Sequence, residues 1–412
     1  MNAICLYFKV HQPFQLKHFS SKDIDMNFDY EDQEADRQSI NKLTDQCYLP
    51  SNNIVLSLIK SGGGKFKVSY SISGTALELF QRYRPDVIAS FRKLVATGCV
   101  EILAETYYHS LSYLHSKQEF LRQILKHRKI VKKLFGVEPI VFRNTELIYN
   151  NDLPNCISDI GVKGILCEGI ERILQGRSPN QLYAAMNEES IKIFLRNSEL
   201  SDDIAFRFDD PNWSEHPLMA DKFAAWIHSH PETDEVINIF MDYETFGIHK
   251  KQESGIFDFL KALPGEVLAK DNCIFNVPSE LLKTHNCKEV YDTPQTISWN
   301  DKSADCYAWF ENVMQNNTLK KIYGIEKMVL QIGSAVQVEL WGRFQAADYI
   351  YYMAKERSLG DTYKYHNPFP SAEEAFQNYT NMVTDFEITL IKKGVSKNQK
   401  RNLLKSFTTG MF

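Results

Sequence analysis

The hydrophobic positions of this chain fall into short apolar runs that recur at intervals over its N-terminal part. Residues 236–240 form one such run, in which Asn238 is the single polar position, and Met241 extends it. An apolar run of this length is typical of a strand buried on both faces. Similar runs predict strands at 3–8, 66–72, 100–104, 140–142, 164–167, 204–208 and 273–277. The run at 204–208 also fits a hairpin partner of residues 191–195, so seven or eight strands are expected.

The segments between these runs are long enough for crossover connections, and several have helical periodicity. Residues 118–135 place apolar side chains along one helical face, and Gly136 follows as a helix end. Strands that alternate with helices predict a parallel sheet, and strands this short and apolar favour a closed barrel over an open sheet. The expected fold class is α/β, with a distorted (β/α)7-type barrel.

The pattern changes after a polar stretch at residues 286–300. Beyond it no strand pattern remains, and the spacing predicts helices at 301–323, 327–357, 371–393 and 396–407. We therefore expect a β/α barrel domain at 1–290 and a helical C-terminal domain, a small bundle, at 291–412. The segment 341–353 is too aromatic for a solvated helix face, and it should be buried partly against the barrel mouth.

Composition narrows the class of protein. The 412 residues carry a net charge of −5 without a long basic run, which argues against nucleic acid or an anionic membrane as partner. No apolar run reaches membrane-spanning length. The eight cysteines form no CxxC pair and no zinc-like Cys/His spacing, so reduced thiols are expected. Because the first strand begins without a leader pattern in front of it, the expected location is the cytoplasm.

Acidic and imidazole side chains follow the predicted strands. Asp242 and Glu244 come directly after the run at 236–240, and His11 follows the first strand, ahead of Pro13. Taken singly, each also fits a solvated or turn residue, but the recurrence favours a site, because the carboxyl ends of parallel barrel strands meet on one face. The other members of this set are Glu78, Glu105, His109, Glu146 and Glu168.

Two carboxylates on facing strand ends suit the cleavage of a glycosidic bond. One attacks or assists at the anomeric carbon, and the other protonates the departing oxygen. The same acids and histidines also suit a metal site, in which a metal-activated water would hydrolyse or deacetylate a substrate. No H-x-x-x-H or H-x-x-E-H pair indicates such a site.

Five segments, in order along nearly the whole chain, resemble the signature regions of glycoside hydrolase family 57. They are His11-Gln12-Pro13, residues 74–78 ending in Glu78, residues 142–149 around Glu146, the sequence D-Y-E-T-F-G at 242–247, and residues 345–353, in which Asp348 precedes a run of aromatics. Each segment alone is a weak signal. Five of them in the family's order are a strong one.

The resemblance implies a seven-stranded β/α barrel with a helical C-terminal part that completes the active site. It further implies retaining cleavage of α-glucosidic, α-1,4 bonds in starch, glycogen or maltooligosaccharides, without a metal or organic cofactor. Carried over by position, Glu146 would be the nucleophile and Asp242 the acid/base. His11, Glu78, Glu244 and Asp348 would shape the sugar site. Retaining geometry would place the two catalytic carboxyls about 5 to 5.5 Å apart.

Three positions depart from the family pattern. Lys9 stands where the family often has the first histidine of H-x-H-Q-P, Arg143 lies in a segment where many members have tryptophan, and Tyr349 replaces the usual histidine after Asp348. Because the catalytic pair is present, these changes bear on specificity more than on activity. They resemble the α-amylase-like branch.

Several assignments remain open at this level. Tyr107, Tyr108, His109 and Trp213 are candidates for stacking on glucose or hydrogen bonding to it, and each also fits a packed core residue. A transglycosylase, such as a 4-α-glucanotransferase or branching enzyme, would use the same residues. A metal-dependent carbohydrate deacetylase and a non-catalytic glucan-binding protein are more distant alternatives.

Overall fold

The computed structural model describes residues 1–26, 29–299, 306–355 and 367–409, with side chains up to residue 394. Ten strands form one sheet. In chain order they are β1 (Asn2–Val10), β2 (Val68–Ile72), β3 (Val100–Leu103), β4 (Val141–Arg143), β5 (Gly164–Glu168), β6 (Leu182–Ala185), β7 (Glu188–Arg196), β8 (Val236–Asp242), β9 (Cys273–Phe275) and β10 (Glu289–Tyr291).

Seven of these strands run parallel around a closed barrel. β8 pairs with β1, β1 with β2, and β2 with β3. A single bridge between Ala104 and Phe142 joins β3 to β4, β4 pairs with β5, and β5 pairs with β7. The ring closes where Arg196 of β7 meets Asn238 of β8. The structure confirms the α/β class and the (β/α)7 barrel. The barrel is distorted because two neighbouring strand pairs, β3 with β4 and β7 with β8, are joined through only one residue pair each.

Residues 204–208 are not a strand, so this prediction is wrong. Asp203–Arg207 is a helical turn whose residues Ile204 and Ala205 face the hydrophobic core. A short helical turn with apolar side chains has the same composition as a buried strand, and periodicity does not separate the two. The seventh barrel strand is β7, which contains residues 191–195 and has β6 as its antiparallel partner. β9 adds to β1, and β10 adds to β6.

Helices surround the barrel. The longest of them, Lys117–Phe135, begins where the Ser116 side chain accepts a hydrogen bond from the Glu119 amide, and it ends at Gly136 in the left-handed region. The others are Gln33–Leu43, Leu49–Ser61, Gly74–Tyr83, Pro85–Val95, Asp152–Ile157, Glu171–Leu174, Ser198–Asp202, Ala220–Ser229, Ile256–Leu268 and Pro278–Thr284. Residues 74–78, one of the five segments that resemble the family signatures, are the start of a helix capped by Ser73.

The C-terminal part is helical, as expected, with different boundaries. Its helices are Tyr307–Phe310, Val313–Gly324, Glu326–Ile332, Ala335–Phe344, Ala347–Tyr351 and Ala372–Thr409. The predicted helix at 327–357 is therefore three short helices, while 371–393 and 396–407 belong to one continuous helix. The predicted helix ends at 301 and 357 lie outside the described residues.

The C-terminal helices are attached to the barrel by a second hydrophobic core. Trp341 and Phe344 pack there together with Phe19 and Tyr30, which lie in the segment between β1 and the helix Gln33–Leu43. The predicted domain boundary at 290/291 falls inside β10, and the division into two domains remains a prediction. Among the described residues, no helix has the length and apolarity needed to cross a bilayer.

We predict that Gly247→Ala destabilises the fold, because the loop after β8 depends on this glycine. Gly247 has φ +105, and an added Cβ would collide with the backbone oxygen of Gln46. Left-handed strain and the clash together should lower the free energy of unfolding by about 2 to 4 kcal/mol in urea titrations. The control is Gly265→Ala, in the helix Ile256–Leu268, where an added Cβ meets nothing within 4 Å. That change should stabilise by roughly 0.5 to 1 kcal/mol. Equal stability of Gly247→Ala and the wild type would contradict this account of the loop.

Candidate active site

Glu146 lies on a strained turn directly after β4. Its backbone has φ +53, and Leu147 next to it has φ +52, both in the left-handed region that non-glycine residues rarely adopt. Each such residue costs on the order of 1 to 3 kcal/mol and persists only where its surroundings impose it. The turn aims a fully buried glutamate into the barrel end.

A segment from beyond β10 holds this turn in place. Ile297 exchanges backbone hydrogen bonds with Tyr149, and the Ser298 hydroxyl donates to the backbone oxygen of Glu146 at 2.9 Å. The indole N–H of Trp299 donates to Glu146 Oε2 at 2.8 Å. One carboxylate oxygen of Glu146 is thus fixed by a residue that is distant in the sequence.

Asp242 ends β8 and lies beside Lys9 of β1. The two residues are direct partners in the parallel register, so their side chains leave the sheet together. Lys9 Nζ lies 2.8 Å from Asp242 Oδ1 and 3.8 Å from Glu146 Oε1. These two oxygens are therefore no farther apart than the sum of the two distances, which leaves room for the separation of about 5 to 5.5 Å found in retaining glycosidases.

The charges around this pair keep both carboxylates ionised. Burial favours the neutral form of Glu146, but Lys9, the hydrogen bond from His109 and the Arg143 guanidinium hold its pKa well below the usual range. Burial also opposes ionisation of Asp242, and the charges of Lys9 and His249 outweigh it, so the pKa of Asp242 is lowered. Both side chains are anions at neutral pH.

Two stacked histidines connect Glu146 to the C-terminal helices. His109 Nε2 lies 2.6 Å from Glu146 Oε1, and the ring of His109 stacks on His11 with centroids 4.1 Å apart. His11 Nε2 lies 2.8 Å from Asp348 Oδ2, and the Ala347 amide donates to the backbone oxygen of His109. Burial and the nearby charge of His109 lower the pKa of His11 to about 4. Asp348 therefore contacts His11 from the C-terminal region, and its predicted role in the sugar site stays a prediction.

Glu244 follows Asp242 closely and lies in a buried polar cluster. It accepts hydrogen bonds from the hydroxyl of Tyr48 and the amide of Gln12, the neighbour of His11. Burial, assisted by the charge of Asp242, raises the pKa of Glu244 to about 7. At neutral pH the protonated and ionised forms of this carboxyl are therefore both populated.

Glu78 and Trp213 are placed apart from the catalytic pair. Glu78 projects from the helix Gly74–Tyr83, accepts from the Tyr107 hydroxyl and pairs with Arg343 at 2.7 Å, in a network between the barrel and the C-terminal helices. Trp213 lies with Trp226 in an open groove, their ring centroids 6.2 Å apart. The contacts described for Glu78 and Trp213 are thus with residues other than Glu146 and Asp242, and their predicted sugar-binding roles stay predictions.

A small pocket beside Asp242 contains residues that sequence reasoning missed. It is lined by Arg196, Phe206, Phe240, His249 and Trp299, among others. Trp299 stacks on Phe206 with ring planes 6° apart, and Arg196 lies over the Trp299 ring. Lys9 stands out in the sequence as a departure from the family pattern, but its position between the two acids was not predicted.

In the part of the chain that the structure describes, no three His, Cys, Asp or Glu side chains are grouped to hold a metal ion.

Two carboxylates brought close together at the strand ends of a barrel suit a glycoside hydrolase, and comparison with known proteins gives that class. The model of glycosyl hydrolase family 57 matches residues 5–294, and the chain belongs to that family. Its substrate is accordingly a glycan. A Methanocaldococcus jannaschii protein named "Putative alpha-amylase" is 39% identical over 97% of this chain and 88% of its own length.

Solved structures with low sequence identity share the fold. The branching enzyme of Thermococcus kodakaraensis superposes with a TM-score of 0.69 at 14% identity, over 95% of this chain and 91% of that one. The 4-alpha-glucanotransferase of Thermococcus litoralis gives a TM-score of 0.64 at 17% identity, over 85% of this chain and 56% of that one. At these identities the similarity establishes the fold alone.

We predict that ionised Glu146 contributes stability that is lost in acid. Because its pKa is lower in the folded chain than in the unfolded one, the contribution is fully present above pH about 4.5 and disappears as the pH falls through the folded pKa. Urea unfolding of wild type and Glu146→Gln between pH 6 and 3 should show the shallower loss in the variant. The difference should grow by about 1.4 kcal/mol for each pH unit by which folding lowers the pKa. The control is Glu189→Gln, which removes an exposed charge. Parallel curves for wild type and Glu146→Gln would contradict the prediction.

Proposed function

We propose that this glycoside hydrolase cleaves α-1,4-glucosidic bonds of starch, glycogen or maltooligosaccharides with retention of configuration. The observation that carries the proposal is that Lys9 Nζ lies within 4 Å of both Glu146 and Asp242, which come from opposite sides of the barrel. Two carboxylates this close together suit a double displacement, because an inverting mechanism needs a larger distance between the two carboxyl groups to hold the attacking water.

Glu146 is suited to the nucleophile's role. It is ionised, one oxygen is held by Trp299 and the other by His109, and the strained turn fixes its direction. In the first step Glu146 attacks the anomeric carbon, the glycosidic C–O bond breaks, and a covalent glycosyl-enzyme forms. The hydrogen bonds limit how far the carboxylate moves during the attack.

Asp242 is suited to proton transfer. It lies beside Lys9, in the pocket lined by Trp299 and Phe240. In its protonated form it donates to the departing oxygen, and the resulting carboxylate then takes a proton from the incoming water as that water breaks the glycosyl-enzyme bond. With a sugar hydroxyl in place of water, the same steps make a transglycosylase.

The aromatic pocket wall fits a sugar acceptor or leaving group. Trp299 offers a partly exposed indole backed by Phe206 and Arg196, and such faces pack well on the apolar face of a glucose ring. The name of the Methanocaldococcus jannaschii relative favours an α-glucan over other glycans.

The test combines activity, stereochemistry and chemical rescue. With maltoheptaose, the wild type should release products whose new reducing ends are first seen by NMR as the α anomer. Glu146→Gln should lower kcat/KM by a factor on the order of 10⁴. With an aryl α-maltoside and azide, Glu146→Ala should yield the β-glycosyl azide and Asp242→Ala the α-glycosyl azide. The reason is that azide replaces the nucleophile in the first variant and intercepts the glycosyl-enzyme in the second.

The matched control is Glu168→Gln, which removes another buried strand-end carboxylate, paired with Arg196. It should keep kcat/KM within about tenfold, since no step is assigned to it. Transfer products longer than maltoheptaose, formed in preference to hydrolysis, would favour the transglycosylase. Equal rates for wild type and Glu146→Gln, or a β product from the wild type, would overturn the assignment.

A further inference from the structure

Lys9 occupies an unusual place in the site. Its side chain is 7% exposed, it is bonded to Asp242 at 2.8 Å, and it faces Glu146 at 3.8 Å. We propose that Lys9 is a positioning residue that holds the acid/base Asp242 in its ionised form, and so confines this enzyme's working range to acidic pH. The inference rests on the proposed function, because it needs Asp242 to be the proton donor.

The physical argument starts from the first chemical step. A carboxyl group donates a proton to the departing oxygen only while it is protonated, so enzymes of this kind usually raise the pKa of that acid. A cation within about 4 to 6 Å works in the opposite direction and lowers a carboxyl pKa by roughly 1 to 3. Above its pKa, the protonated fraction of Asp242 falls about tenfold for each pH unit.

The ammonium keeps its charge in this position. Burial lowers the pKa of Lys9, but the charges of Asp242 and Glu146 outweigh burial, and the pKa is raised overall. A histidine at this place, as the family often has, has an ordinary pKa near about 6.5 and so loses its charge close to neutral pH. Lys9 therefore stays positively charged across physiological pH and lowers the pKa of Asp242 over that whole range.

Other charged groups around Asp242 act in both directions. The carboxylates Glu146 and Glu244 oppose its ionisation, while His249, in the loop after β8, favours it together with Lys9. Among the cations, Lys9 has the largest effect on Asp242, and it is bonded to it directly. Removal of Lys9 thus takes away the main interaction that keeps Asp242 ionised.

Glu146 should respond less to the same change. Lys9 is also the first of the groups that lower the pKa of Glu146, but it lies farther from Glu146, at 3.8 Å, than from Asp242, at 2.8 Å, and interacts with it more weakly. When Lys9 is absent, Glu146 keeps the hydrogen bonds of His109 and Trp299 and the nearby guanidinium of Arg143. The two limbs of the pH profile should therefore move by different amounts. The acid limb, which reports ionisation of the nucleophile, moves less than the alkaline limb, which reports protonation of the acid/base.

The experiment measures kcat/KM on maltoheptaose over the range from about pH 4 to 9 for the wild type and four variants. In Lys9→Met the alkaline limb should move up by about one pH unit or more and the acid limb by less. For every pH unit that the alkaline limb moves, the rate above the wild-type limb should rise about tenfold. Lys9→Arg retains the charge and should keep the alkaline limb near that of the wild type.

The two remaining variants are a control and a substitute for Lys9→Met. Lys67→Met removes a similar lysine-carboxylate pair, with Glu280 at 2.7 Å, at the other end of the strands, and should leave both limbs in place. Thermal unfolding checks that each variant folds. Lys9→Gln carries the same expectation as Lys9→Met if the latter does not fold.

The outcomes separate this inference from the proposed function. If Lys9→Met and Lys9→Gln lower kcat/KM by one factor at every pH without moving either limb, Lys9 has a structural role only and the inference is overturned, while the glycosidase assignment stands. If the wild type cleaves no α-glucan at any pH and neither do the Lys9 variants, the proposed function fails and the inference falls with it. A limb that moves upward in Lys9→Arg as far as in Lys9→Met would also overturn it, since charge would then not be the cause.

Discussion

The site depends on one ammonium group shared by two buried carboxylates. Glu146 and Asp242 repel each other in a largely buried site, and two anions at such distances are not normally ionised together. Lys9 reaches both because β1 pairs with β8, which puts Lys9 in register with Asp242, and the turn after β4 brings Glu146 Oε1 to 3.8 Å from its ammonium. The pairing of β1 with β8 thus places the ammonium that helps to keep both carboxylates ionised. Removing Lys9 would leave the two buried carboxylates without the cation they share, which is costly.

The surrounding architecture serves to fix these few groups. The left-handed turn at Glu146 is held from one side by Trp299 and from the other by His109. His109 itself is backed by His11, and His11 by Asp348 of the C-terminal helices. The region after the barrel therefore supports the barrel's active end through direct contacts, and its second hydrophobic core keeps those contacts in place. Strain at Glu146 is tolerated because several elements converge to impose it.

The sequence predicted the barrel because buried parallel strands leave a plain signal in uninterrupted apolar runs, as at 236–240. It failed at 204–208, where apolar residues in a helical turn face the core, because composition is the same in both cases. The strand-end residues His11, His109, Glu146 and Asp242 were expected to lie close together because barrel topology assigns strand ends to one face, and the structure groups them there. Asp348 was predicted only through the resemblance to a family, since nothing local marks it.

Other parts of the site were beyond sequence reasoning. Trp299 reaches Glu146 from a polar stretch that resembles a domain boundary, and its contact follows only from the pairing of Ile297 with Tyr149. Glu78 has the sequence context of a strand-end turn, but the helix that begins at Gly74 turns it toward Arg343. Long-range side-chain contacts of this kind depend on tertiary packing, which leaves no local pattern in a single sequence.

The central claim is that Glu146 carries the sugar during turnover. The most direct measurement is to incubate the wild type with an α-glucosyl fluoride bearing fluorine at C5, which slows hydrolysis of the glycosyl-enzyme, and to locate the label by mass spectrometry of the digested protein. The account predicts one added fluoroglucosyl group, on the peptide that contains Glu146. A label on a different carboxylate, or steady hydrolysis of the fluoride without any covalent adduct, would contradict it.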